Sequence, residues 1–65
     1  MIFDNISKLC KENGISVAKL ERETGIGNGT IGRWNVSSPN VANLKAVADF
    51  FRVSMDELVK ESEGV

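Results

Sequence analysis

From Ile15 to Asn35 the chain reads ISVAKLERETGIGNGTIGRWN, with one helix start at Ser16 and a second at Gly27. Ser16 is a good N-cap, because its hydroxyl can accept a hydrogen bond from an amide in the first helical turn. Ile15 before it and Leu20 after it are placed as a hydrophobic staple. The arrangement repeats with Gly27 as cap and with Ile26 and Ile31 as staple. Between the two, Gly25 ends the first helix by taking the left-handed conformation that residues with side chains avoid. The expectation is two short helices joined by a glycine turn, the second held out from the body of a small domain.

The rest of the chain excludes most other designs. Sixty-five residues make one domain, with a core too small to shelter an elaborate active site. No apolar run approaches the ~20 residues needed to span a bilayer. Asp4 interrupts the opening Ile2-Phe3, where a signal peptide would continue apolar. The single cysteine, Cys10, excludes an internal disulfide and suits a reducing cytoplasm. With no His, no Tyr, no metal-ligand cluster and no nucleophile–base pair, neither catalysis nor a cofactor or metal is expected. Gly25, Gly27 and Gly29 do not make a phosphate-binding loop, since no strand precedes them and no Gly-Lys-Ser/Thr ending follows.

Apolar residues recur at helical spacing throughout. They fall at Ile2, Ile6, Leu9 and Cys10, at Leu20, at Ile31 and Trp34, then at Val41, Leu44, Val47, Ala48 and Phe51, and last at Met55, Leu58 and Val59. Helix one is expected from about Ile2 to Glu12, ending before Gly14, and helices two and three are the pair above. Ser37-Ser38-Pro39-Asn40 is a turn, and Asn40 caps helix four, which reaches about Phe51. Ser54-Met55-Asp56-Glu57 is a capping box opening helix five, with Val53 and Leu58 as its staple. The expected fold is all-α, five short helices in one helix-turn-helix domain over residues 1–61. Residues 62–65 are expected as a frayed tail or the start of a linker. A second helix held out in this way is suited to entering a DNA major groove.

Charge argues mildly against nucleic acid, since the net charge is −1 whereas DNA-binding domains are usually basic. Its distribution softens the objection. Up to residue 45, Lys8, Lys11, Lys19, Arg22, Arg33 and Lys45 outnumber Asp4, Glu12, Glu21 and Glu23; beyond it, Asp49, Asp56, Glu57, Glu61 and Glu63 outnumber Arg52 and Lys60. A weakly basic face opposite an acidic tail follows, with modest affinity from a single copy.

Leu20, Gly25, Ile31 and Trp34, then Pro39, Leu44, Ala48 and the closing Val53-Ser54-Met55-Asp56-Glu57-Leu58, carry a family pattern from about Ile6 to Val59. The chain resembles the Cro/cI-type (lambda repressor-like, XRE) helix-turn-helix family. Within it, the chain is most similar to small repressors of phages and mobile elements in Gram-positive bacteria, which often carry GNGTI and a Ser-Ser-Pro turn. No single position is specific, but the spacing over five helices is.

The resemblance implies that helix three meets base edges through Asn28, Gly29 and Thr30 in its first turn, with Gly32 and Arg33 one turn on. Asn can pair bidentately with adenine and Arg with guanine, each worth roughly 1–3 kcal/mol of discrimination. The bland alternatives are a solvated arginine at Arg33 and a second capping residue at Asn28. Trp34 takes the family's apolar core position. Phosphate contacts are expected at the amides around Ser16 and Val17, since helix N-termini attract anions, with Lys19, Asn35, Ser37 and Ser38 as further partners.

The chain departs from the family in several places. Val17 stands where relatives often carry a phosphate-bridging Gln, which should weaken clamping or shift it to backbone amides. Cys10 and Asn35 stand where many relatives have an Arg–Glu ion pair, so neither charge is left unpaired, and Cys10 reads as a small core hydrophobe. Glu21 replaces a small Ala beneath the turn. Either its carboxylate reaches the free amides at the start of helix three and compensates for the weak Gly27 cap, or it lies at the surface.

The expected function is sequence-specific transcriptional regulation, as a repressor bound to double-stranded DNA at a palindromic operator. A homodimer is expected, because one copy buries too little surface to select a genomic site. Its interface would use helix five and the end of helix four, with Phe50, Met55 or Val59 partly exposed. No membrane and no small-molecule ligand is indicated. The alternative is a protein-interaction module on the same fold, an antirepressor or antitoxin-like regulator, which the acidic balance and the missing Gln favour and an exposed Asn28 and Arg33 oppose.

Overall fold

The computed structural model describes residues 1–60, and the tail expected over 62–65 lies outside them. Four α-helices and one 3-10 turn follow in order: α1 (Ile2–Glu12), α2 (Val17–Thr24), the 3-10 turn Ile31–Arg33, α3 (Val41–Phe51) and α4 (Met55–Val59). There is no strand among the described residues. Helix α1 packs on α2 and α4, α3 packs on the same two helices from its side, and the 3-10 turn rests on α1 and α2. The core at their meeting point is Ile6, Cys10, Leu20, Ile26, Ile31, Trp34, Val47, Ala48 and Leu58. Ile15 and Val53, the outer halves of two staples, are packed against it.

The helix boundaries follow from their caps. Ser16 accepts a hydrogen bond from the Lys19 amide at 3.0 Å, and Gly25 closes α2 in the left-handed region at φ 79°. Asn40 accepts from the Asn43 amide at 2.7 Å. Ser54 accepts from the Glu57 amide at 3.3 Å, but the capping box is half made: Glu57 turns its carboxylate to Lys60 at 3.1 Å instead. Helix α3 ends at Arg52, which adopts φ 60°, the left-handed cap that glycine usually supplies.

The expected third helix is the main correction, and with it the five-helix count. Instead of a helix from Gly27 there is a chain of one-turn closures: Thr30 N–H to Gly27 C=O, Arg33 to Thr30, Trp34 to Ile31 and Val36 to Arg33. Each spans three residues, the pattern of a 3-10 coil, which is rarely long. Glycine at positions 27, 29 and 32 removes the propensity that would propagate an α-helix, each by about 0.5–1 kcal/mol relative to Ala. Gly29 goes further, since its φ of 86° lies outside any right-handed helix. Gly27 is therefore not the cap. Thr30 stands at that position and makes no side-chain cap bond.

Two asparagines complete ends that the helices leave open. Helix α1 has Met1 at its N-cap and no cap of its own. The Asn35 side-chain oxygen accepts from the Phe3 amide at 3.0 Å, and its Nδ2 donates to Asp4 at 3.2 Å. At the other end of the chain, Asn5 Nδ2 donates to the carbonyls of Leu58 at 2.8 Å and Lys60 at 2.7 Å, satisfying acceptors at the end of α4.

Candidate nucleic-acid interface

The two halves of the helix-turn-helix are joined through Gly25, and their outer surfaces differ in what they offer. At the start of α2, the Lys19 amide is taken by the Ser16 hydroxyl and the Leu20 amide by the Ser16 carbonyl. The amides of Val17 and Ala18 have no partner among the described residues, as befits the leading turn of a helix. Ser16 and Lys19 are exposed and Val17 is half-buried, so this end of α2 is uncovered.

The segment Gly27–Trp34 is built differently. Asn28, Gly29, Thr30 and Arg33 line one shallow depression. Asn28, Gly29, Gly32 and Arg33 are exposed and Thr30 is half-buried, while Ile31 and Trp34 beside them are buried. Four of the five base-contact candidates, Asn28, Gly29, Thr30 and Arg33, thus share one depression beside an apolar anchor, and Gly32 is exposed next to Arg33 in the chain. Asn28 and Gly29 belong to the turn before the 3-10 segment and not to the first turn of a helix. Ser37 and Ser38 are exposed and border a neighbouring groove with Thr30, Arg33 and Asn43. Asn35 is the exception among the phosphate candidates, since its amide is engaged at the N-terminus of α1.

Glu21 explains how a segment with three glycines keeps a shape. Its side chain is 3% exposed, so it does not lie at the surface. Oε1 accepts from the Gly29 amide at 3.0 Å and Oε2 from the Ile31 amide at 2.9 Å. With the Thr30 amide bound to Gly27, three successive amides are satisfied internally. The carboxylate thus does the work of an N-cap from the neighbouring helix. Cys10 is 2% exposed, and burial raises its thiol pKa, which fits a core residue. No group of three or more metal-ligating residues occurs among the described residues, and no helix among them is long and apolar enough to cross a membrane.

The fold and this surface define a small helix-turn-helix domain with an uncovered second segment. A helix-turn-helix family model matches residues 6–58, and the chain belongs to that family, the Cro/C1-type (XRE) helix-turn-helix proteins, which are DNA-binding transcription regulators. Neither the curated proteins nor the solved structures compared with the chain include a match.

Asn5, Asn35 and Arg52 were not legible as structural residues. The two asparagines act across 53 and 32 positions of chain, and no local spacing signals such a partner. The signal for Glu21 was its size at a position beneath the turn where the family has a small residue.

Proposed function

We propose that the chain is a sequence-specific repressor of the phage or mobile-element type, bound as a symmetric dimer to a palindromic operator. The observation that carries this reading is the depression lined by Asn28, Gly29, Thr30 and Arg33 beside the buried Ile31 and Trp34, with Gly32 exposed in the same segment. Asn28 and Arg33 supply base discrimination, and the glycines let the backbone come close to the groove floor. Phosphates are held by the amides at Ser16 and Val17, by Lys19, and by Ser37 and Ser38, which fix register without reading sequence. Asn35 holds the end of the reading segment against α1. The dimer forms through the end of α3 and α4, where Phe50 is 39%, Met55 37% and Val59 39% exposed. The work of such a protein lies in the cytoplasm.

The rival reading, a protein-binding regulator on the same scaffold, is favoured by the net charge of −1. A mobility-shift titration with duplexes from around the gene's own promoter separates the two. Saturable binding that survives excess competitor DNA supports the repressor, and no binding even at low salt supports the rival. Arg33→Ala should lose roughly 1–3 kcal/mol on the preferred site and relax preference at one base pair. An unchanged preference removes Arg33 from the reading set.

A further inference from the structure

We infer that Glu21 is a specificity-positioning residue: it presets the reading segment, so that Asn28 and Arg33 meet DNA in one arrangement. The inference rests on the DNA-reading function proposed above. Glu21 is almost fully buried, and its two oxygens are divided between two amides, Gly29 and Ile31, on either side of Thr30. No cationic side chain forms an ion pair with it among the described residues. Its charge is answered by main-chain dipoles of the segment that carries the base-contact side chains.

Two consequences follow. A segment with three glycines and a left-handed residue at Gly29 has many alternative conformations, and the two-point carboxylate selects one. Without it, ordering would have to occur on the DNA, at a cost to affinity. Gly29, Thr30 and Ile31 also have their amides occupied before DNA arrives, so these three amides are not free to bind a phosphate. Phosphate capture by backbone amides is left to the start of α2. A negative charge beneath the interface opposes the phosphate backbone in general, which weakens binding to every sequence alike. Position and charge therefore act on different quantities, specific and non-specific affinity.

That difference is measurable with Glu21→Gln, which keeps one acceptor oxygen and turns an NH2 group against the second amide. The wild-type protein first selects a preferred duplex from a random-sequence pool; both proteins are then titrated with that duplex and with a scrambled one of equal length. The expected result is a specific-to-scrambled affinity ratio lowered about tenfold, the loss of roughly one well-placed base contact, with scrambled-duplex binding equal or tighter. A change that merely unfolded part of the sample would lower both titrations together and leave the ratio intact. An unchanged ratio overturns the inference while leaving the DNA reading in place. If the wild-type protein enriches no sequence, the DNA reading fails and this role fails with it. Should Glu21→Gln not fold, amide exchange in the wild-type protein decides: Gly29 and Ile31 protected relative to Asn28 supports the clamp, and all three exchanging at one rate overturns it.

Discussion

Helix α2 takes its shape from its own neighbours in sequence, whereas the segment Gly27–Trp34 takes its shape from a side chain of another element. In α2, Ser16 caps one end, Gly25 the other, and Leu20 anchors the middle. In the reading segment the capping position has no side-chain bond. Order there comes from Glu21 on the amides of Gly29 and Ile31, from the buried Ile31 and Trp34, and from the Asn35 tether to α1. The two halves of the motif thus divide the task. The locally coded half presents open amides, and the remotely held half presents side chains around Gly29, Thr30 and Ile31 amides that are already taken.

The strongest way to break the comparison is to remove the remote support. Glu21→Ala deletes two hydrogen bonds to a charged acceptor and leaves a space beneath the turn. Because Gly29 is exposed and water can replace part of the loss, the expected destabilisation is about 2 kcal/mol. In a domain of this size that lowers the melting temperature by roughly 10 °C. Calorimetry or thermal circular dichroism checks it, and a shift within error would show that the apolar anchors alone hold the segment.

Ser16→Ala tests the local half, and its effect is smaller. The Lys19 amide loses its acceptor, which typically costs about 1 kcal/mol. The expected signature is spatially confined: amide exchange should accelerate in the first turn of α2 and remain as in the wild type at Gly29 and Ile31. Acceleration at all of these sites together would mean that the two halves unfold as one unit and that their separate supports do not matter.

What could be read from sequence divides along the same line. The starts of α2, α3 and α4 were legible because Ser16, Asn40 and Ser54 bond to amides three residues away. The core was legible too, since Ile6, Cys10, Leu20, Ile31, Trp34, Val47, Ala48 and Leu58 sit at helical spacing and are buried. The third helix differs from its expectation because the spacing of Ile31 and Trp34 fits an α-helix and a 3-10 turn equally well, at three residues. The three glycines tip the balance to the shorter form. Half of the capping box failed because Glu57 had a competing partner in Lys60 one turn on. The left-handed Arg52 carries no sequence mark at all, since nothing about an arginine announces a positive φ. For the candidate interface, the outward placement of Asn28 and Arg33 followed from the motif. The engagement of Asn35 did not, because it depends on where α1 begins in space.

Gly32 offers the smallest effect and the sharpest separation of stability from function. Unlike Gly29, it does not have a positive φ, and a Cβ built on it meets no atom within 4 Å. Gly32→Ala therefore fits the folded chain while restricting the unfolded one, a gain of about 0.5 kcal/mol. The same change at Gly29, with φ at 86°, brings no such gain, because an alanine there is strained. Yet Gly32 lies on the exposed surface beside Arg33, where the proposed function needs the backbone close to the groove. A methyl group there stands between the segment and the DNA. The expected outcome is a slightly higher melting temperature together with weaker binding to the selected duplex. Opposite signs are what a glycine kept for close approach produces. A gain in both would place Gly32 outside the contact surface and shift the reading to Asn28 and Arg33 alone.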